Sequence, residues 1–328
     1  MQYRRMGDSE LEVSAIGFGA WEVGGQYGSY LEQEFVDAVQ QALDLGVTLF
    51  DTALAYGAGR SEALLGRALG RRRSEAIVVT KGGLPTRPGS KRPTDGRYTS
   101  LMQDIDDSLH ALGLDYVDLY LQHWPDSATP IEDSMRALTD IQKAGKARYV
   151  GVSNYHPAAL REAKRFAPIV TNQVGYNLFD RRWERQMFPT ARELGVGVMA
   201  YGPMAHGLLT GTFTRDTVFE DNDWRRRGLV FGQALFTPEN LPRNVAVVEQ
   251  LQQLAGELGV SLASMAIAWT LRDPIVAVAL TGIRRPQEIQ ENVRATDVVL
   301  SPELLTRIER CTSSAAGQTD DLPVPNWA

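Results

Sequence analysis

The sequence predicts an α/β fold, a (β/α)8 TIM barrel with an N-terminal β-hairpin and a long loop after its seventh strand. Three observations carry that reading. Eight short apolar or β-branched runs recur along the 328 residues. Each is followed by a stretch with helical spacing, which is the pattern of a parallel sheet covered by helices. No low-complexity linker interrupts the alternation, so residues 1–328 read as a single barrel domain, ending in a coil tail over 312–328.

The elements follow in order. Residues 3–5 and 11–13 flank Gly7-Asp8-Ser9 and predict a hairpin that closes the barrel floor. The eight runs lie at residues 14–18, 48–50, 77–80, 117–121, 149–152, 170–172, 196–200 and 276–280. Between them, Phe35, Val36, Val39 and Leu43 form one helix face before Gly46, and Leu101, Ile105, Leu109 and Leu112 form another before Gly113. Ile131, Met135, Leu138 and Ile141 repeat the spacing before Gly145, and Val248, Leu251, Leu254, Ala255 and Leu258 before Gly259. Residues 205–243 lack a clear period but hold Phe213, Phe219, Trp224, Phe231 and Phe236, which predicts a folded flap over a ligand. Past residue 312 the period is lost, and Trp327 is expected to tuck into a groove.

Composition narrows the function. A hydrophobic share of 43% supplies a large core, and a net charge of -6 offers no basic footprint for nucleic acid or an anionic membrane. Cys311 is the only cysteine, so neither a disulfide framework nor a thiolate metal site is available. The four histidines share no ligand spacing, and no metal is expected. The polar first ten residues contain no signal-peptide run, and together with cysteine usage they predict a cytoplasmic protein.

Gly17 and Gly19 after the first run, with Asp51 ending the second, imitate a dinucleotide-binding βαβ unit. The spacing rejects it: Glu22 replaces the third glycine, and a loop through Tyr30 separates Gly19 from the helix. Barrel enzymes instead place chemistry at the C-terminal ends of strands. There stand Asp51, with Tyr56 in the following loop, then Lys81 and His123. Any one of these alone would read as a rim residue. Together they suit reduction of a carbonyl, which needs a proton donor and further donors around the developing alkoxide. Tyr56 is the donor in this scheme, with its pKa lowered by the Lys81 ammonium. Asp51 holds Lys81, and His123 orients the carbonyl oxygen.

The ordered motifs resemble those of the aldo-keto reductase superfamily over nearly the whole chain. They include Gly17-Phe18-Gly19-Ala20-Trp21, Phe50-Asp51-Thr52-Ala53 with Tyr56-Gly57, Thr80-Lys81, Gln122-His123-Trp124-Pro125-Asp126, Gly151-Val152-Ser153-Asn154-Tyr155, Asn172-Gln173-Val174, Ala200-Tyr201-Gly202-Pro203, Gly207-Leu208-Leu209-Thr210-Gly211 and Glu291-Asn292. The resemblance implies a catalytic tetrad of Asp51, Tyr56, Lys81 and His123, with Tyr56 as general acid. It implies Ser153, Asn154 and Gln173 on a nicotinamide carboxamide, Tyr201 stacked on the nicotinamide ring, and the backbone around Gly202, Met204 and Leu209 along a pyrophosphate. Gly19, Ala20, Trp21, Asp51, Pro203, Gly207, Gly282, Glu291 and Asn292 complete the implied cofactor contacts, and Trp21, Tyr56, His123 and Trp124 the implied substrate pocket.

After the eighth run, Arg284 and Arg285 precede Pro286, which suits the first turn of a helix containing Ile289 and Val293. A helix N-terminus with two guanidinium groups suits the 2′-phosphate of NADP. Glu288 falls where many relatives carry arginine or glutamine, which keeps NAD as the alternative. Met6 for leucine and Thr212 for lysine are smaller departures. Three readings stand: an NADP-dependent reductase of aldehydes or ketones, an NAD-linked sugar or alcohol dehydrogenase, and a non-catalytic nicotinamide-sensing subunit like the potassium channel beta subunits. Small-molecule carbonyls or alcohols are the expected partners, and the sequence leaves substrate and oligomeric state open.

Overall fold

In the computed structural model, which describes residues 1–25, 27–86 and 92–321, eight parallel strands close on themselves. An antiparallel hairpin of β1 (Tyr3–Arg5) and β2 (Glu12–Ser14) precedes them. The barrel runs β3 (Ile16–Gly19), β4 (Leu49–Asp51), β5 (Ile77–Gly82), β6 (Val117–Gln122), β7 (Ala147–Ser153), β8 (Ile169–Gly175), β9 (Gly197–Tyr201) and β10 (Val276–Gly282). β10 pairs with β3 to complete the ring. The predicted first run, 14–18, is split: Ser14 ends the hairpin, where it faces Tyr3, and the barrel strand starts at Ile16.

Helices α1 (Glu32–Asp44), α2 (Arg60–Leu69), α3 (Tyr98–Leu112), α4 (Ile131–Lys143), α5 (Pro157–Phe166) and α6 (Met187–Glu193) follow the first six barrel strands. α7 (Leu241–Glu257) and α8 (Leu262–Thr270) follow the seventh, and α9 (Pro286–Asn292) and α10 (Pro302–Thr312) the eighth. Each predicted helix face meets the sheet: Phe35 and Val39 of α1, Leu101 and Ile105 of α3, and Met135, Leu138 and Ile141 of α4 are buried. Leu258 lies just past the end of α7 and is 39% exposed.

Two apolar layers result. The larger lies between strands and helices, and the smaller fills the barrel interior with Leu49, Val79, Leu119, Leu121, Met199 and Val278. Met6, Leu11 and Val13 of the hairpin join this inner cluster from below, so the floor is sealed by apolar contact. Arg4 fastens the hairpin by donating to the carbonyls of Leu271 and Val276, at 3.0 and 2.8 Å. With the floor closed, the predicted polar residues lie at the opposite, C-terminal end of the strands.

The segment after β9 is folded, as its aromatic residues predict. Phe213, Phe219 and Phe236 make edge-to-face contacts at 5.4 to 6.0 Å. Arg182 pins the segment by donating to the carbonyl of Phe231 at 3.0 Å. The packing expected of Trp327 falls outside the described residues. Among the described residues no helix is long and apolar enough to cross a membrane, and no cluster of potential metal ligands occurs.

Candidate active site

Strand register assembles the site. Gly19 pairs with Asp51, Ser153 with Gln173, and Gly175 with Tyr201, so neighbouring strands deliver these residues to one level of the rim. Asp51 ends β4, Lys81 lies one residue from the end of β5, and His123 follows β6, its N–H bonded to the Gly82 carbonyl at 2.9 Å. Tyr56 sits in a tight turn after β4 whose residues Gly57, Ala58 and Gly59 all have positive φ. The turn folds the phenol back over the strand ends.

Lys81 is the hub. Its Nζ donates to Asp51 Oδ2 at 2.7 Å, to the Thr52 carbonyl at 2.8 Å and to the Tyr56 hydroxyl oxygen at 3.3 Å, which uses all three ammonium protons. Because Tyr56 accepts from Lys81, its own proton is left for another acceptor. Gln173 donates to the other Asp51 oxygen at 2.8 Å, so the carboxylate is held from both sides. The His123 ring meets the Tyr56 ring edge-on at 5.7 Å.

Electrostatics sets the protonation states. Burial pushes the Asp51 carboxyl up and the Lys81 ammonium down, against the attraction of the pair. His123 falls well below its ordinary value through burial and then the Lys81 charge, so it is neutral. Tyr56 departs from the sequence expectation. Burial first, and the Asp51 charge second, hold its hydroxyl well above the ordinary tyrosine value, outweighing the ammonium. A phenol so placed keeps its proton through the neutral range.

These groups form the inner end of an elongated cavity of about 430 Å³ that runs from Tyr56, His123 and Trp124 to Arg284, Glu288 and Asn292. Gly19, Trp21, Asp51, Ser153, Asn154, Gln173, Tyr201, Gly202, Pro203, Met204, Gly207, Gly282 and Glu291 line the stretch between. Two predicted contacts are placed elsewhere. Ala20 and Leu209 are fully buried, and their N–H groups are spent on the carbonyls of Asp51 and Met204 at 2.9 and 3.0 Å. Lys81 reaches the cavity only through Asp51 and Tyr56.

Near Tyr201, the amides are already oriented. Ser153 donates to the Gln173 carbonyl at 2.8 Å, Asn154 Nδ2 donates to Ser153 Oγ at 3.0 Å, and Tyr201 donates to Asn154 Oδ1 at 3.0 Å. Asn154 takes a left-handed φ of 61° to do so. At the far end the predicted arginine pair separates. Arg284 lines the cavity, whereas Arg285 turns to Glu34 at 3.4 Å. Glu288 forms a capping box, its Oε2 accepting from the N–H of Arg284 at 2.7 Å and of Arg285 at 3.2 Å.

Sequence reasoning missed Tyr27, Arg225 and Glu22 as lining residues. Tyr27 lies edge-on to Trp21 and Trp224, at 5.0 and 5.8 Å, and its carbonyl accepts from Arg284 at 3.3 Å. Arg225 is fixed by Asp223 and by a 3.0 Å bond to the His206 carbonyl, with its guanidinium 5.0 to 5.5 Å from the rings of Tyr27, Phe213 and Phe219. In sequence it is one of three consecutive arginines, a pattern that reads as a solvated surface. His206 also lines the cavity, and burial together with Arg225 and Arg182 lowers its pKa to about 3.

Three cavity-lining residues keep a sealed polar atom with no protein partner: His123 Nδ1, Asn292 Nδ2 and Glu22 Oε2. Polar atoms left unsatisfied in a concave apolar site fit a ligand that carries polar groups along its length, as a dinucleotide does.

A closed barrel with a tyrosine carried on a turn, a buried lysine–aspartate pair and a cleft at the strand ends defines a nicotinamide-linked oxidoreductase. Residues 15–313 match the model of the Aldo/keto reductase family, and the chain belongs to that family. It is 34% identical over 307 residues to the Aldo-keto reductase YhdN of Bacillus subtilis, covering 92% of this chain and 91% of that one. It is 35% identical over 338 residues to a probable voltage-gated potassium channel subunit beta of Oryza sativa subsp. japonica, covering 98% and 99%. The solved structure of glycerol dehydrogenase AKR11B4 from Gluconobacter oxydans superposes with a TM-score of 0.85 at 30% identity, covering 99% of this chain and 98% of that one.

Proposed function

We propose that this protein reduces an aldehyde or ketone to the alcohol with NADPH, Tyr56 acting as general acid. The observation that carries the reading is the hydrogen-bonded line Asp51–Lys81–Tyr56 beside a neutral His123 at the inner end of the cavity. A bound reduced nicotinamide supplies the hydride. The chain's own residues then handle the charge that develops on the carbonyl oxygen. Tyr56 gives that oxygen its proton, and Lys81, 3.3 Å away, stabilises the phenolate left behind. Asp51 keeps the ammonium in place, and the neutral His123 ring offers the oxygen a hydrogen bond without competing for the proton. Trp21, Trp124 and Phe231 wall this end and hold water out. Ser153, Asn154, Gln173 and Tyr201 would hold the nicotinamide end, and Arg284 and Asn292 the adenosine end.

A second reading, NAD-linked oxidation of an alcohol, is favoured by the far end. Only Arg284 of the arginine pair lines the cavity there, and Glu288 stands beside it. The reading as a nicotinamide-sensing subunit has the channel-subunit likeness behind it, but the hydrogen-bonded Asp51–Lys81–Tyr56 line favours turnover.

The test is NADPH and NADH absorbance decay with a panel of aldehydes and ketones, wild type beside Tyr56→Phe. We expect wild-type turnover, reduced roughly 100- to 10,000-fold in the variant, with cofactor dissociation constants unchanged. Full activity in Tyr56→Phe would remove Tyr56 as the acid. Tight cofactor binding without turnover on any carbonyl, but with alcohol oxidation, would favour the second reading.

A further inference from the structure

Glu22 stands in the 3-10 turn Trp21–Gly24 directly after β3, and its carboxyl borders the middle of the cavity. It is packed against β10 so closely that a Cβ on Gly282 would lie 1.6 Å from Oε1 and 2.7 Å from Oε2. Oε2 is sealed from solvent and has no hydrogen-bond partner. The charged and titratable groups facing it are Arg284 and Glu288 from the β10–α9 connection and α9, Arg225 from the segment after β9, Tyr27 from the loop before α1, and Tyr56 from the turn after β4. Neither arginine forms a salt bridge with it among the described residues. Arg225 is committed to Asp223 and the His206 carbonyl, and Arg284 bonds the Tyr27 carbonyl.

On the reading above, on which this inference rests, a dinucleotide lies with its nicotinamide near Tyr201 and its adenosine near Arg284. Its diphosphate then crosses the stretch that Glu22 borders. An ionised carboxylate would repel that dianion, whereas a protonated one is neutral and donates a hydrogen bond. We propose that Glu22 is a proton-coupled contact for the cofactor diphosphate: the carboxyl takes up a proton as the dinucleotide enters and meets it as a neutral group.

The energetics fit this coupling. Burial raises the Glu22 pKa to about 7, and Arg284 is the strongest charge opposing the rise. The carboxyl is therefore poised to change state near neutrality, and an added dianion shifts it further toward the protonated form. Binding that favours the protonated state is strongest below the pKa of the free protein and weakens as pH rises above it. Of the other groups near the cavity, His206 and His123 are both neutral across this range. Glu62 has a pKa raised to about 7 by burial, but it lies between α2 and β5, where its Oε1 accepts from Thr80 at 2.5 Å.

The experiment is calorimetric titration of the full chain with NADPH and with NADH, which carries the same diphosphate but lacks the 2′-phosphomonoester, in two buffers of different ionisation enthalpy. Wild type should take up close to one proton at about pH 8 and almost none at about pH 5.5. Its dissociation constant should rise roughly tenfold per pH unit above neutrality. Glu22→Gln keeps a neutral donor and should bind with wild-type affinity at low pH, no linked proton and a flat profile. Glu22→Ala, which removes the group, should also be flat. The proposal is overturned if wild type binds without proton uptake, if affinity rises with pH, or if Glu22→Gln retains the uptake. Failure of wild type to bind either dinucleotide at any pH would instead overturn the cofactor reading on which the proposal stands.

Discussion

Asp51 and Glu22 are two acids on adjoining strand ends of one cavity, and the protein treats them in opposite ways. Asp51 is surrounded: Lys81 at 2.7 Å on one oxygen, Gln173 at 2.8 Å on the other. Glu22 has a sealed oxygen with no partner and two nearby arginines that are engaged elsewhere. Burial pushes both carboxyls up, but only Asp51 has a counter-ion in contact to hold its charge. The Asp51–Lys81–Tyr56 line is thus complete within the protein, and the stretch beside Glu22 is completed by what binds there. A preorganised centre and an unfinished binding surface call for different substitutions.

The largest effect should come from breaking the finished end. Lys81→Met strands the Asp51 carboxylate in a site with 0% exposure at the lysine, and removing one partner of a buried pair costs about 3–5 kcal/mol. Denaturant unfolding at neutral pH measures it, beside the expected loss of turnover. A cost under about 1 kcal/mol would mean that burial has already neutralised the pair, and the contrast with Glu22 would collapse.

The same contrast explains what was legible in the sequence. Asp51, Lys81 and His123 were readable because strand runs are short and their ends locate the rim of the barrel. Gln173 was harder, since nothing in an Asn-Gln-Val run announces a bond to a residue 122 positions away. The eight strands and the hairpin followed from period and turn residues, with errors of one to three residues at strand ends, as where polar Ser14 serves the hairpin instead of the barrel or where the run at 170–172 extends to Gly175. Glu22 was noticed only as the residue that spoils a glycine fingerprint. Its position facing Gly282 depends on β3 and β10 being neighbours, and that closure joins the first and last strands of the barrel. Tyr27 and Arg225 were invisible for a related reason. They sit on irregular segments whose placement depends on packing against each other, not on any period.

An intermediate effect tests the packing of the unfinished region. Gly282 has no side chain because the Glu22 carboxyl occupies the space a methyl group would need, at 1.6 Å. Gly282→Ala should therefore displace Glu22, destabilise the fold by about 1–3 kcal/mol and weaken cofactor binding. Pairing it with Glu22→Ala should recover most of the stability, because the collision is removed; thermal unfolding of the four proteins of this cycle reads the coupling. Additive losses would show that contacts other than the Glu22 carboxyl are responsible.

The smallest effects separate the two arginines. Arg284 lines the cavity and donates from one nitrogen to the Tyr27 carbonyl, which leaves further N–H donors for a ligand phosphate. Arg285 points away to Glu34 in a pair that is more than half exposed at the arginine, the kind of surface contact worth little. Arg284→Ala should thus raise the NADPH dissociation constant roughly tenfold, the scale of one charge-assisted hydrogen bond, and change the NADH constant far less. Arg285→Ala should leave both constants within about twofold, since its guanidinium already has a partner outside the cavity. Fluorescence titration of the two variants with the two cofactors decides between the readings of the far end. Equal losses for NADPH and NADH in Arg284→Ala would assign the guanidinium to the diphosphate or to the Tyr27 loop, and Arg225, already paired with Asp223, would be the remaining guanidinium in the described cavity lining.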